Sequence, residues 1–317
     1  MTSLELRPLS SGELLDRSFA LYRRHPLLFI GIMAVPSVFS LAIGLPFAIF
    51  TSVNRIDENS NLETMMPILI GMVIFILVFV TVYWMVYMVA LGATTIAVSE
   101  IYADRVATIG SAYARVRHMF GRLNWLAFLA SLRLGGAGLG IIAVTGVLVA
   151  ITRSVPLLSA VILMIGMLAA FVVSMWMMLR YAVVVPALVL EQIRAGEAIR
   201  RSIALTSGYL GRVILLFVCV IVISYVSVLI FQMPFTVASV MAGPESAAAM
   251  WFTIVGTISS TIGSTLTAPI MIIGFVVLYY DLRIRKEALD LDMMIQALDT
   301  GSSGATMTAP AVPVLPD

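Results

Sequence analysis

The side chains best suited to a chemical role are arginines that recur in short amphipathic segments of the chain. The arginines on the polar faces of these segments are Arg17, Arg23, Arg24, Arg115, Arg117, Arg200 and Arg201. Guanidinium groups bind phosphate, and each basic residue near an anionic membrane contributes about 1 kcal/mol of attraction. The pattern therefore predicts contact with anionic lipid headgroups or with an acidic protein partner. The alternative is that these arginines only orient interfacial helices, because basic residues resist translocation.

An acidic residue marks the end of every second apolar run along the chain. These residues are Glu100, Glu191 and Asp281, and an arginine follows each within a few positions. A carboxylate close to lipid is costly unless it has a partner. We therefore expect ion pairs that hold the amphipathic segments to the rest of the protein, for instance between Glu191 and Arg201. A ring of carboxylates at the mouth of a channel is the alternative.

Two arginines and a run of hydroxyl groups interrupt the apolar sequence itself. Arg133 and Arg180 would each cost about 2.5–3.5 kcal/mol at the centre of a bilayer. The apolar residues beside each of them are numerous enough to cross without it, so both arginines are predicted at the membrane interface. Ser260 and Ser264 belong to a run of small and hydroxyl residues in the last apolar run. Close helix packing is the favoured interpretation, and a substrate pathway is the alternative.

The sequence predicts no catalytic, cofactor-binding or metal-binding residue. Its only histidines, His25 and His118, lie at unrelated positions in different amphipathic segments, and Cys219 is the only cysteine. The glycine-rich run LGGAGLG at 134–140 has the wrong spacing for a dinucleotide-binding loop, and no strand precedes it. We therefore expect a protein that is not an enzyme, uses no cofactor and binds no nucleic acid.

The amino-acid composition of the chain indicates that these residues belong to a membrane protein. Hydrophobic residues make up 61% of the 317-residue chain and charged residues only 11%, with a mean hydropathy of +1.07. A helix needs roughly 20 apolar residues to cross a bilayer. The apolar runs that meet this requirement are 27–50, 65–98, 123–151, 155–190, 209–233 and 250–280. The predicted fold class is therefore all-α: a polytopic membrane bundle of six transmembrane helices.

The distribution of lysine and arginine predicts the orientation of these six helices. If the amino terminus faces the cytoplasm, the far side of the membrane receives only Arg55 and Arg153, which leaves 17 of the 19 basic residues on the near side. Cytoplasmic segments carry the excess of basic residues. Both termini are therefore predicted to lie in the cytoplasm, and the protein in the plasma membrane.

A short motif recurs ahead of the first, third and fifth apolar runs. Residues 12–21 and 196–205 are identical at six of ten positions, and 110–116 keeps the glycine and the arginine of the motif. The pattern predicts one membrane domain, 1–298, made of three tandem units that each contain an amphipathic helix and two spans. The predicted units are about 10–100, 108–191 and 195–282, followed by an amphipathic helix at 283–298 and a disordered tail at 299–317.

Three stretches of the chain are similar to one known group of bacterial proteins. They read RPLSSGELLDRSFALYRRH, VVVPALVLEQIRAGEAIRRSIALTSG and LYYDLRIRKEALDLD. Together they resemble the glycerophosphoryl diester phosphodiesterase membrane-domain family, from about Leu6 to Asp292. The resemblance implies a six-span membrane module. It does not extend to the separate metal-binding phosphodiesterase domain from which that family takes its name.

These observations favour a non-enzymatic membrane protein that organises lipid or a protein partner at the cytoplasmic face of the membrane. A transporter or channel for a small solute or lipid is the first alternative. It requires a polar cavity along the sixth span or beside Arg133 and Arg180. A membrane subunit of a glycerophosphodiester phosphodiesterase system is the second alternative, and it follows from the resemblance alone.

Overall fold

The computed structural model describes residues 9–53, 62–243 and 246–287, which form helices and short turns with no strand. The helices are α1 (Ser11–Arg24), α2 (Pro26–Val53), α3 (Leu62–Tyr102), α4 (Ile109–Val116), α5 (Phe120–Ile151), α6 (Pro156–Arg180), α7 (Val184–Glu191), α8 (Ala195–Thr206), α9 (Leu210–Phe231), α10 (Met233–Met241) and α11 (Ala247–Glu287). A single 3-10 turn links α4 to α5. The predicted all-α fold is confirmed.

Six helical stretches in the described part of the chain are long and apolar enough to cross a membrane. They run over Pro26–Phe47, Leu69–Tyr102, Ile109–Ile151, Pro156–Glu191, Leu210–Phe231 and Ala247–Glu287. Large apolar side chains cover much of their outer surface, as expected for helices that face lipid. The six predicted spans are therefore confirmed, and the chain is a multi-pass membrane protein.

The buried core lies at one end of the bundle, which we call the basic end. This end contains α1, α4, α7 and α8 together with the adjoining ends of the spans. Helices α3 and α11 have 41 residues each. Each is therefore about 60 Å long, whereas the hydrocarbon core of a bilayer is about 30 Å thick. The surplus length is buried at the basic end, where Ala93, Val98, Val277 and Leu282 are at most 1% exposed.

Outside the basic end, small residues allow neighbouring spans to approach each other closely. Helices α5 and α6 form a hairpin in which a Cβ atom at Gly166 would lie 2.1 Å from Thr145 Oγ1. Helices α9 and α10 pack along α11, where a Cβ atom at Gly263 would lie 2.6 Å from Phe231. Glycine allows the helix axes to come together at these two points, as in other membrane bundles.

Helices α1, α4 and α8 begin in the same way. The Ser10 hydroxyl accepts a hydrogen bond from Glu13 N at 3.2 Å, and the Glu13 carboxylate accepts one from Ser10 N at 2.7 Å. Thr108 and Ser111 make the same reciprocal pair at the start of α4. In α8, the Glu197 carboxylate accepts from the N–H group of the N-cap residue. The repeated motif therefore marks the first turn of each helix.

The apolar run 155–190 forms two helices rather than one. Helix α6 ends at Arg180 and α7 begins at Val184, with a turn between them. Pro186 explains the break, because it has no N–H group to donate to Ala182 and its ring would clash with that carbonyl in a continuous helix. In α7 the proline lies in the first turn, where the missing N–H group needs no partner.

The predicted break between the fifth and sixth spans contains a further helix. Residues 234–249 separate the apolar runs 209–233 and 250–280, and α10 covers Met233–Met241 among them. Pro234 lies in the first turn of α10, where proline is tolerated, and the residues after it are mostly apolar. The fifth span, α9, therefore ends at Phe231, and α10 follows it as a separate short helix.

The last span extends further than predicted. Helix α11 runs without a break to Glu287, so residues 283–287 of the predicted C-terminal helix are its last turn. Leu282 and Ile284 are buried there, and their packing at the basic end stabilises the continuous helix. Residues 288–298 and the predicted tail at 299–317 lie outside the described residues, as does Arg55.

Candidate functional site

Glu191, at the end of α7, is the centre of an ion-pair cluster that joins α7, α8 and α11. Arg201 Nε lies 2.9 Å from Glu191 Oε1, and the Tyr279 hydroxyl donates to the same oxygen at 2.7 Å. Arg201 also pairs with Glu287, whose carboxylate lies 3.0 Å from Arg283 Nε. Burial alone favours a neutral guanidine, but the two carboxylates outweigh this effect and raise the pKa of Arg201. Arg201 therefore holds helices together as a cation.

Asp281 ties the start of the chain to α9 and α11. Its side chain is completely buried, with Arg212 Nη1 and Arg285 Nε each 3.0 Å from Oδ2. The N–H group of Leu9 donates to Oδ1 at 2.8 Å. Two cations and a backbone N–H group replace the interactions with water that this carboxylate loses on burial. The arrangement fixes the residue that precedes α1 against the last span.

Glu100, at the end of α3, pairs with an arginine of the next amphipathic helix. The glutamate is 3% exposed, and Arg115 Nη1 lies 2.9 Å from its Oε1. The nearer arginine in the sequence, Arg105, lies in the exposed turn before α4. Glu100, Glu191 and Asp281 are therefore all found in ion pairs, and helix packing rather than distance along the chain selects the partner.

The arginines predicted to contact lipid divide into two groups. Arg115 and Arg201 make internal ion pairs, and Arg17 is half-buried beside Tyr102. The exposed group comprises Arg23, Arg24, Arg117 and Arg200. Within the described ranges, no member of this second group has an ion-pair partner. Of the seven arginines predicted to contact lipid, only those of the exposed group are therefore available to a ligand at the basic end.

Arg133 and Arg180 occupy different surroundings. Arg180 ends α6, its carbonyl accepts from the Ser202 hydroxyl at 2.7 Å, and its guanidinium lies 4.7 Å from the centre of the Trp176 ring. It therefore belongs to the basic end. Arg133 is exposed on α5, about 27 Å of helix before Ile151. That distance approaches the thickness of the hydrocarbon core, so its interfacial position stays a prediction that the helix length supports.

A cleft that the sequence analysis missed lies between the beginnings of α5 and α8. We call it the arginine cleft, because the exposed side chains of Arg122, Arg194 and Arg200 line it together with Trp125 and Glu197. Its volume is about 470 Å³. The cleft brings together two chain segments that are far apart in the sequence, and it concentrates positive charge beside an aromatic ring.

The packing of α5 on α8 creates this cleft. Leu123 and Leu126 of α5 are buried in one core with Ala198 and Ile199 of α8. The residues one position before each of these leucines are Arg122 and Trp125, and they are left at the rim. Only the helical phase of residues 122–126 could have revealed the exposed face.

A second cavity lies among α2, α3, α9 and α11, and we call it the hydroxyl groove. Ser260 and Ser264 of α11 line it together with Ser224 and Ser227 of α9 and Tyr87 of α3. Its volume is about 440 Å³, and no Asp, Glu, Lys or Arg from the described part of the chain contributes to its walls. Ser260 and Ser264 therefore line a cavity, and their role in helix packing stays a prediction.

The histidines and the cysteine are not part of either cavity. His25 caps the end of α1, His118 lies in the turn before α5, and Cys219 is a half-buried free thiol in α9. Across the described ranges, no three His, Cys, Asp or Glu side chains come together as a metal site would require.

Comparison with protein-family models, curated proteins and solved structures finds no match to this chain. The resemblance to the glycerophosphoryl diester phosphodiesterase membrane-domain family therefore stays a prediction, as does the internal repeat. The two cavities and the distribution of charge at the basic end are the features of the protein that indicate a function.

Proposed function

We propose that this chain is a non-enzymatic membrane protein that binds anionic phospholipid at the cytoplasmic leaflet through the arginine cleft. The convergence of Arg122, Arg194 and Arg200 on one cleft beside Trp125 carries the proposal. A lipid phosphate offers acceptor oxygens and a negative charge to these guanidinium groups, which match phosphate geometry better than ammonium groups do.

The balance of charge in the cleft favours an anionic ligand. Among the described residues, Glu197 is the only acidic one on its walls, and its carboxylate already accepts from the backbone N–H group of Arg194 at 3.2 Å. Three guanidinium groups therefore face one carboxylate, and the local charge is positive. The other acidic groups nearby, Glu191 among them, are engaged in ion pairs with different arginines. An anionic headgroup would neutralise the remaining charge.

The aromatic wall of the cleft favours a lipid over a soluble anion. Trp125 is 58% exposed, and its ring stacks on Phe128 with centroids 5.4 Å apart. Leu132, further along α5, is also 58% exposed. Tryptophan prefers the headgroup level of a bilayer. A phospholipid could therefore place its phosphate among the arginines, with the aromatic wall of the cleft beside its headgroup.

We propose the orientation that this function requires, with the basic end in the cytoplasm of a bacterial cell and both termini on that side. The excess of basic residues at this end supports it, since cytoplasmic segments of membrane proteins carry such an excess. The cytoplasmic leaflet is also the one rich in anionic lipid. An acidic protein partner is the other ligand that the same surface could bind.

The test measures lipid binding to the full chain by native mass spectrometry in detergent. The cleft variant carries Arg122→Gln, Arg194→Gln and Arg200→Gln. The matched control variant carries Arg23→Gln, Arg24→Gln and Arg117→Gln, which remove the same charge outside the cleft. We expect the unmodified chain to prefer phosphatidylglycerol over phosphatidylcholine. The cleft variant should bind phosphatidylglycerol on the order of 100-fold more weakly, and the control variant should keep most of the affinity.

Three results would count against this proposal. Equal losses in the two variants would mean that charge spread over the whole basic end, rather than the cleft, attracts lipid. The absence of any preference for phosphatidylglycerol would exclude an anionic-lipid site. Displacement of the lipid by millimolar inorganic phosphate would show that the cleft recognises the phosphate alone and that the aromatic wall contributes little.

A further inference from the structure

The hydroxyl groove lies among four spans, far from the arginine cleft. It is bounded by α9 on one side, by α2 and α3 on the other, and by α11. Ser264 lies in the middle of α11, about 25 Å of helix from Ala247. This depth places the groove within the apolar part of the bundle. A polar cavity there is expensive unless it serves a ligand or a water-filled path.

The α9 wall of the groove carries hydrogen-bonding groups that have no partner. Ser227 is only 8% exposed, and its hydroxyl makes no hydrogen bond to any described residue. Ser224 and Gln232, on the same wall, likewise make no side-chain hydrogen bond in the described ranges. Serine in a membrane helix usually bonds to a carbonyl of the preceding turn. Here the donors remain available to the groove.

The α11 wall is complementary to the α9 wall. Thr261 Oγ1 donates to the Thr257 carbonyl at 2.8 Å, Ser264 Oγ donates to the Thr261 carbonyl at 2.9 Å, and Thr267 Oγ1 donates to the Gly263 carbonyl at 2.9 Å. Each hydroxyl proton is therefore used within the helix, and each oxygen keeps a lone pair. This wall can accept hydrogen bonds, whereas the α9 wall can both donate and accept them.

We infer that the hydroxyl groove binds an uncharged group bearing several hydroxyls. A hydroxyl can donate to the oxygens of α11 and accept from the serines of α9, which a purely accepting group such as a phosphate cannot do. The groove has no charged side chain to neutralise an ionic ligand. The ligand is therefore a neutral polyol, either free in water or held as the headgroup of a neutral glycolipid. This site is independent of the arginine cleft.

The experiment follows the protection of a thiol placed in the groove. Cys219→Ala removes the native cysteine, and Ser264→Cys introduces a thiol on the groove wall. Ile262→Cys, at a position 50% exposed on the same helix and outside the groove, serves as the control. The full chain is embedded in phosphatidylcholine nanodiscs and labelled with N-ethylmaleimide. The added probes are a glucosyl diacylglycerol in the bilayer, glucose in the buffer, and phosphatidylglycerol as the charged lipid.

We expect a sugar probe to slow labelling of Ser264→Cys about fivefold, with no change at Ile262→Cys. Protection by glucose would identify a free polyol as the ligand, and protection by the glycolipid alone would identify a lipid headgroup. Adding Ser227→Ala should remove most of the protection, because it deletes an unpaired donor. Adding Ser239→Ala should not, because that hydroxyl lies in α10 and bonds to the Ala249 carbonyl.

The proposal is overturned if the thiol at position 264 is inaccessible before any probe is added. It is also overturned if neither sugar probe protects that thiol, or if phosphatidylglycerol protects it equally well. Protection that persists with Ser227→Ala would contradict the role of the unpaired donors. Lipid binding by the arginine cleft is measured on different variants, so either proposal can fail without the other.

Discussion

Arg201 Nε lies 2.9 Å from Glu191 Oε1, and this contact fastens the amphipathic helix α8 to the end of the span that precedes it. The same connection occurs earlier in the chain, where Arg115 of α4 pairs with Glu100 at the end of α3. Both arginines come five residues after the glycine of the repeated motif. In both places an acid at the end of a span is paired with an arginine of the amphipathic helix that follows it.

Removing Arg201 should destabilise the protein measurably. Arg201→Ala leaves Glu191, whose side chain is 15% exposed, without its cation and with the Tyr279 hydroxyl as its remaining partner. We expect the free energy of unfolding to fall by about 2 kcal/mol, less than for a completely buried pair. Thermal unfolding in detergent, followed by tryptophan fluorescence, measures the change. Arg200→Ala is the control, since the neighbouring side chain is exposed; an equal shift in both variants would contradict the structural role of the pair.

Neutralising Asp281 should lower the free energy of unfolding more than breaking the ion pair between Arg201 and Glu191 does. Asp281→Asn leaves Arg212 and Arg285 without their counter-charge inside the basic end, whereas its amide oxygen can still accept from Leu9 N. We expect a loss of about 3–5 kcal/mol in unfolding free energy. Faster tryptic cleavage after Arg17, within α1, should accompany it. Asp16→Asn, at an exposed position, should change neither quantity, and an unaltered melting temperature in Asp281→Asn would show that the cluster adds no stability.

A side chain at Gly166 should force α5 and α6 apart. In Gly166→Val the new Cβ atom would lie 2.1 Å from Thr145 Oγ1 and 2.3 Å from Thr145 Cγ2. We expect a loss of about 1–3 kcal/mol, as for other overpacked contacts, with partial recovery when Thr145→Ala is added. Gly140→Val imposes the same helix-propensity change where the added carbon meets nothing within 4 Å. Similar melting temperatures for the two valine variants would show that the hairpin tolerates separation.

The proposed orientation has a direct test in cells. Green fluorescent protein fused after Asp317 should fluoresce, because it folds in the cytoplasm and not after export. Alkaline phosphatase fused after Ser154, in the turn between α5 and α6, should be active, because that turn would face the outside. The reverse pattern would place the basic end outside the cell and would remove the basis for binding cytoplasmic lipid.

The length and composition of the apolar runs were sufficient to predict the six spans, because insertion depends on local hydropathy. The finer divisions were harder to predict. Pro186 and Pro234 each lie in the first turn of a new helix, so the run 155–190 divides into α6 and α7, and a separate helix, α10, follows α9. Whether a proline ends or bends a helix depends on the packing of the turns around it. That packing cannot be deduced from the sequence of the apolar run alone.

The candidate sites were predicted less completely than the spans. The acids that form ion pairs could be identified because an isolated carboxylate near lipid is costly. The partner of Glu100 could not be identified from the sequence, because Arg115 reaches Glu100 only after α4 packs on α3. Arg122 and Arg194 come together only when α5 packs on α8. A cavity depends on the placement of distant segments, which hydropathy and spacing do not specify.

The position of the core has a consequence for how the chain responds to solvent. Most membrane proteins of this kind bury their side chains between spans, where acyl chains compete for the same contacts. Here the densest packing lies at the basic end, where on the proposed orientation water is the medium from which many of its apolar side chains are withdrawn. Urea, which acts from the aqueous phase, should therefore melt the basic end while the spans remain inserted, so that denaturation occurs in two separable stages.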